Sequence, residues 1–306
     1  MASLKELAKQ GEKFLGGHRA CAGCGATIVA RQVLLAAQHP IVVGAATGCL
    51  EVISTIFPYS AWNVPYIHNA FENVAATMSG VEAAYKALKK KGKIERDLRF
   101  IAFGGDGGTY DIGLQSLSGM IERRNRVLYV CYNNEAYMNT GIQRSSATPT
   151  GAHTTTSPAG TKIPGKLQPR KNLTEIIIAH EPAYAAQATI GYWNDLVTKV
   201  RRALDAEGPS FINVLSPCRL GWAYPPEKTA VVTRLAVETC VWPLYEYENG
   251  KYHITVKPKE KKPVTEFLKM QGRFGHLFKI KDNILVEEFQ KEIDRIWERL
   301  LKRSAE

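Results

Sequence analysis

No stretch of the 306-residue chain approaches the ~20 uninterrupted apolar residues that a membrane-spanning helix needs. The opening residues, MASLKELAKQGEKF, are charged and carry no apolar export core. A soluble, cytoplasmic protein with reduced thiols and no membrane partner is therefore expected. No internal repeat is visible. No G-x-G-x-x-G follows an apolar strand, which disfavours a nicotinamide-binding Rossmann site. Acidic residues are scarce beside basic ones: 29 Asp and Glu face 40 Lys and Arg, for a formal charge of +11. The basic residues are scattered, at Lys89 to Lys91, Arg123-Arg124, Arg201-Arg202 and Lys259 to Lys262, with no aromatic-interleaved basic motif. Solvated helix ends and loops account for them better than nucleic acid does. Apolar residues at 45% and charged residues at 23% exclude a disordered chain, a collagen and a coiled coil.

What is present alternates. Residues 41–45, 98–103, 127–132, 184–190 and 211–215 read as buried strands, and 74–90, 111–124, 173–180 and 193–206 as helices. Asp111 is expected as an N-cap and Gly92 as a C-cap. Strands alternating with helices imply an α/β fold, a doubly wound parallel sheet. After Pro225 the texture changes. A hairpin at 244–256 turns at Asn249-Gly250, a Lys/Pro-rich link follows, and a last amphipathic helix runs from about Asn283 to Lys302. Residues 1–225 are thus expected to carry the site, and 226–306 to form a C-terminal hairpin and helical arm for packing or subunit contacts. The Thr/Ser/Pro/Gly-rich stretch 140–165 is too long for a plain connection and is expected to line or cover a site.

Open parallel sheets bind ligands beyond the carboxyl ends of their strands. Cys49, Asp106, Asn134 and Cys218 each fall just past such an end. In Gly104-Gly105-Asp106-Gly107-Gly108 the glycines let backbone approach a ligand, and the next helix aims its N-terminus there, as a pyrophosphate requires. A pyrophosphate needs a divalent cation, and Mg²⁺ wants hard oxygen donors. Asp106 offers a carboxylate, and Asn134, 28 residues on and one strand over, an amide oxygen. Gly-rich turns and Asn-Asn pairs are common loop formers, so it is the pair in this strand context that points to a cofactor.

The chain has six cysteines. Cys21-Ala22-Gly23-Cys24 is a C-x-x-C that, in a reducing compartment, binds metal or is redox-active. With Cys49 and Cys218 the count reaches four thiolates, a set that holds zinc or an iron–sulfur cluster. A structural zinc site would show two close C-x-x-C pairs, and the neighbouring cofactor residues favour the redox reading. Cys131 and Cys240 read as ordinary buried thiols.

The run from Gly105-Asp106-Gly107 to Asn133-Asn134 resembles the thiamine diphosphate signature. Taken with the cysteines, the chain resembles the beta subunit of the 2-oxoacid:ferredoxin oxidoreductases, whose best-known member is the pyruvate enzyme. The motifs carrying that likeness lie at 18–25, 47–52, 71–73, 105–109, 134–143, 216–218 and 271–274, nearly the whole chain. The resemblance implies a pyrophosphate-binding sheet with Asp106, Asn134 and the Ala136 carbonyl on Mg²⁺, and Gly105, Gly107, Gly108, Thr47 and Glu51 around thiamine diphosphate. It implies a 4Fe–4S cluster on Cys21, Cys24, Cys49 and Cys218, and Asn139 reaching the substrate. The implied reaction is oxidative decarboxylation of a small 2-oxo acid, pyruvate to acetyl-CoA and CO₂ with coenzyme A, the electrons leaving singly through the cluster to ferredoxin. The Glu that polarises the aminopyrimidine would come from an alpha-type subunit, Glu51 and Glu72 being the candidates within the chain. A ferredoxin-like subunit or domain with further clusters would pass the electrons on. His18 and His68 could move protons, although a lone histidine is more often structural. One departure stands out. Cys218 is followed by Arg219-Leu220-Gly221-Trp222, where pyruvate-type chains continue Pro-Thr-Gly-Trp. Oxalate, oxidised to CO₂ without coenzyme A, is the alternative substrate. Two other readings are a non-oxidative thiamine decarboxylase with structural zinc and a basic zinc-binding nucleic-acid protein. The last leaves Asp106 and Asn134 unexplained.

Overall fold

The computed structural model describes residues 3–160, 163–279 and 284–305. Its elements in chain order are α1 (Leu4–Leu7), α2 (Gly25–Ala36), β1 (Ile41–Ala46), α3 (Cys49–Ser54), β2 (Tyr66–Asn69), α4 (Val74–Lys90), β3 (Arg99–Gly105), α5 (Leu114–Glu122), β4 (Leu128–Asn133), α6 (Leu173–Ile178), β5 (Tyr184–Thr189), α7 (Trp193–Asp205), β6 (Ser210–Leu215), α8 (Thr229–Glu238), β7 (Leu244–Glu248), β8 (Lys251–Val256), α9 (Val264–Lys269) and α10 (Ile284–Arg303). Among the described residues the eight strands form one sheet, ordered β2-β1-β3-β4-β6-β5-β7-β8. The first six in that order are mutually parallel; β7 runs antiparallel to β5, and β8 to β7.

The central strands are apolar and buried on both faces, as a sheet covered by helices on two sides demands. One face packs against α2 and α7, through Val29, Val33, Leu196 and Val200. The other packs against α4, α5 and α6, through Val74, Met78, Leu117, Met120 and Ile177. The expected doubly wound α/β sheet is what forms. The hairpin turning at Asn249-Gly250 is also present, and it extends this same sheet beyond β5. Helices α8 to α10 share a third apolar cluster with Leu215, Trp222 and Tyr224. Asn283, the expected start of the last helix, lies outside the described residues.

Asp111 is not an N-cap. Residues Gly107–Ile112 form a wide helical turn of the π type that starts directly after Asp106, and α5 follows it. The Gly113 amide reaches back five residues to the Gly108 carbonyl at 2.8 Å. The Asp111 carboxylate is engaged elsewhere, accepting from Tyr137 Oη at 3.0 Å and the Ser146 amide at 3.1 Å. The helical turn therefore begins directly after Asp106, whose carboxylate takes its donors from Asn134 and Ser145.

On α10, Phe289, Ile293 and Leu300 are buried. Removing the Phe289 ring leaves a void under that helix, so Phe289→Ala should cost about 3 kcal/mol in denaturant unfolding. Stability unchanged within about 0.5 kcal/mol would show that α10 does not pack as described.

Candidate active site

In the sheet order, β1 connects outward to β2 on one side while β3 and β4 lie on the other, so the switch point falls between β1 and β3. A cleft of about 270 Å³ opens there, beyond the strand ends. Thr47, Gly48 and Cys49 after β1 form one wall; Gly105 to Gly108 after β3 form the floor; Asn134 and residues 136–140 after β4 form the other wall. The floor must be glycine. A Cβ on Gly107 would come within 2.5 Å of the Tyr137 ring, and one on Gly108 within 2.8 Å of the Phe71 carbonyl oxygen.

Three oxygen-bearing groups converge on the floor. The inner end of the Asn134 carboxamide lies 2.8 Å from the Ala136 carbonyl oxygen and 3.0 Å from Asp106 Oδ1. With its nitrogen inward, the amide donates to both. With its oxygen inward, three oxygens crowd together, a tolerable arrangement only around a cation. An octahedral cation with oxygens at ~2.1 Å spaces neighbouring donors by roughly 3.0 Å. Asp106 itself is fully buried. Burial pushes its carboxyl up to about 7, against the pull of Ser145 Oγ, donating to Oδ2 at 2.6 Å, and the Asn134 amide, donating to Oδ1 at 3.2 Å.

The turn between Asn134 and Ala136 is made by Glu135 in the left-handed region, at φ 66°. A non-glycine residue holds that conformation only where its surroundings impose it. The buried Glu135 carboxylate is gripped from both sides, by Arg170 at 2.6 Å and Arg273 at 2.5 Å, while its carbonyl accepts from Thr148 Oγ1 at 2.6 Å. Removing one partner of such a buried set typically costs about 3–5 kcal/mol, because it strands a charge.

The four cysteines come together around Cys49. Gly25, next to Cys24, lies so close to Ser216 and Pro217 that a Cβ there would sit 2.8 Å from their backbone, which seats the C-x-x-C loop on the loop carrying Cys218. Burial pushes the Cys49 thiol up to about 12, and Cys218, Cys24, Asp106 and Cys21 push the same way. Burial also raises Cys218, opposed by N–H donors that include Gly221 at 3.4 Å from its sulfur. Among the described residues, no three His, Cys, Asp or Glu side chains stand close enough to chelate a single metal ion. The thiols sit within electrostatic reach of one another.

Of the other expected site residues, Asn139 is exposed at the cleft mouth. Thr47 lines the wall, with its hydroxyl 2.9 Å from both the Asn69 carbonyl and His68 Nε2. Glu51 does not line the cleft; it accepts from Thr55 Oγ1 at 2.7 Å and lies 3.6 Å from His68. Glu72 is exposed and His18 stacks on Phe14, neither on the cleft wall. Arg219 is also outside the wall. Stretch 140–165 contributes Thr140 to the lining and Ser145 beneath Asp106. Ser145, Arg170, Arg273 and Trp222 had no sequence signal as site residues beyond the likeness at 271–274.

The fold and cleft define a thiamine diphosphate-binding protein: residues 46–214 match the family described as thiamine pyrophosphate enzyme, C-terminal TPP binding domain. The chain is 58% identical over 309 residues to pyruvate synthase subunit PorB of Thermotoga maritima, covering 98% of this chain and 95% of that one. It is 47% identical to ketoisovalerate oxidoreductase subunit VorB of Pyrococcus abyssi, covering 95% and 93%. A solved structure of 2-oxoglutarate:ferredoxin oxidoreductase from Magnetococcus marinus shares the fold at a TM-score of 0.57 and 20% identity, over 68% of this chain and 66% of that one. The chain belongs to the beta-subunit family of the 2-oxoacid:ferredoxin oxidoreductases. It is accordingly one subunit of a multisubunit oxidoreductase.

The raised Asp106 carboxyl sets a pH dependence. A carboxyl whose folded value lies above its ordinary 3.8 favours the folded state when protonated, so its contribution is lost as pH rises from about 4 to about 7. The loss amounts to at most about 4 kcal/mol in the ligand-free protein. Asp106→Asn removes it. The ligand-free variant should melt above wild type at pH 8, with the gap narrowing toward pH 5; a gap independent of pH would contradict the assignment.

Proposed function

We propose that the chain is the beta subunit of a pyruvate:ferredoxin oxidoreductase, holding the diphosphate end of thiamine diphosphate through Mg²⁺ on Asp106, Asn134 and the Ala136 carbonyl, and a 4Fe–4S cluster on Cys21, Cys24, Cys49 and Cys218. One observation carries this reading: Cys49 lines the same cleft as Asp106 and Asn134, so a thiolate ligand and the cation donors share walls. With the Asn134 amide oxygen turned inward, its separations of 2.8 Å from the Ala136 carbonyl and 3.0 Å from Asp106 Oδ1 suit donors shared by one Mg²⁺. Cys21 and Cys24 are the one C-x-x-C pair of the set while Cys49 and Cys218 are isolated in sequence, and Cys49 lies beside a cofactor cleft, which supports iron–sulfur over structural zinc. Together the two groups supply an electron sink for the carbanion left by decarboxylation and a one-electron acceptor beside it.

The chain's own residues do the rest. Gly107 and Gly108 open the floor so that backbone amides of the turn meet the diphosphate. Asn139, exposed at the mouth, hydrogen-bonds the substrate. Phe71, Tyr137 and Met138 give the walls their apolar surface and exclude water. Neither Glu51 nor Glu72 is on the cleft wall, which supports an alpha-type partner subunit as the source of the aminopyrimidine Glu. Cys21, exposed, marks the side from which a ferredoxin-like subunit or domain draws electrons toward ferredoxin. Pyruvate, with coenzyme A as acyl acceptor, is favoured over oxalate because relatives at 58% identity are named for pyruvate. Arg219, which would greet a dianion, also lies off the cleft wall.

The test uses the anaerobically purified complex with its natural partner chains. Visible absorbance should bleach on adding pyruvate and complete only with coenzyme A, and oxalate should be inert. Bleaching by oxalate alone would keep the machinery and move the substrate. A colourless, iron-free preparation would remove the redox reading. In the same complex, Cys49→Ala should lose the visible absorbance while retaining thiamine diphosphate, and Asp106→Asn should weaken cofactor binding at least ~100-fold while retaining iron.

A further inference from the structure

We infer that Arg273 and Trp222 form a positioning clamp that ties the cation loop to the Cys218 loop, so that the two cofactor sites are held at one fixed separation. The inference rests on the reading of both sites given above. Its geometry is continuous. Cys218 is followed by a tight turn in which the Trp222 amide donates to the Cys218 carbonyl at 2.9 Å and the Gly221 amide donates to the Cys218 sulfur at 3.4 Å. The Trp222 side chain is fully buried, and its indole Nε1–H crosses to the Asn134 carbonyl at 2.8 Å. One bond therefore joins the residue four places beyond a cluster thiolate to the backbone of a cation donor.

That indole cannot turn. The Arg273 guanidinium lies over its ring, 3.9 Å from the centroid, and Phe267 meets it edge-on at 6.1 Å. The same guanidinium donates to Glu135 at 2.5 Å, while its Nε donates to Gln271 Oε1 at 2.9 Å. Arg273 thus orients the ring whose N–H holds Asn134 and also holds the next residue of the loop directly. A planar, forked, stacking cation is required for both contacts; lysine reproduces only the charge. Arg170 supplies a control within the same ion set. It grips Glu135 from the other side at 2.6 Å but stacks over Trp242 instead of Trp222. A purely structural role for the buried ions would make the two arginines equivalent.

The experiment measures two quantities in the anaerobic holo-complex: thiamine diphosphate and Mg²⁺ affinity, by titration of cofactor-stripped protein, and the midpoint potential and paramagnetic signature of the cluster. Arg273→Lys and Trp222→Phe should each weaken cofactor affinity about 10-fold or more and also displace the potential and the signature. Trp222→Phe keeps a stacking ring and removes the N–H together with the second ring of the indole, so it carries the test if Arg273→Lys fails to assemble. Arg170→Lys should weaken cofactor affinity and leave the cluster signals at wild-type values. The clamp is overturned if Arg273→Lys behaves like Arg170→Lys, or if Trp222→Phe moves only one of the two sites. An iron-free wild type would instead overturn the cluster assignment itself, and the clamp with it.

Discussion

A carboxylate with no access to water, beside an amide that reaches both it and a backbone carbonyl, is the constraint on which this molecule turns. Asp106 is pushed up to about 7 by burial even with two donors on it. Lysine or arginine beside it could have relieved that cost, but Arg170 and Arg273 are committed to Glu135. The arrangement is stable in a working state only if a cation arrives. The fold therefore carries a buried, uncompensated carboxylate on the floor of the cleft, which is what the proposed cation would neutralise.

The doubly wound sheet determines where that deficit lies. Because β1 and β3 are neighbours that lead outward in opposite directions, the loops after β1, β3 and β4 diverge and leave a cleft between them. The loop after β6, carrying Cys218, and the C-x-x-C loop before α2 close against that same edge. Thus a fold-level rule about strand order places Asp106, Asn134 and the thiols in adjacent loops. Between Asn134 and Ala136 the left-handed residue is Glu135, and the buried ion set holds it in place.

How much of this was legible beforehand depended on sequence distance. Asp106 and Asn134 were legible because a glycine run and an Asn-Asn pair punctuate two apolar strands, and the four cysteines fall in loops or, for Cys49, at the first residue of α3. The clamp was not, since Glu135 and Arg273 are 138 residues apart and no local pattern marks a buried ion pair. Asp111 misled because the hydrogen-bonded turn begins four residues earlier and widens to the π form, which a cap rule cannot anticipate. Strand β2 escaped notice because it is four residues long and half exposed at the sheet edge. Helix α2 begins with glycine immediately after Cys24, so the metal-type motif masked the helix start.

The central claim is that a cation site and a four-thiolate cluster share one cleft. Anomalous diffraction from crystals of the anaerobic complex, recorded on either side of the iron edge, tests it most directly. The account predicts one strong iron peak bounded by the sulfurs of Cys21, Cys24, Cys49 and Cys218, with a light cation between Asp106, Asn134 and Ala136. A zinc-edge peak among those sulfurs, or iron located elsewhere, would contradict it.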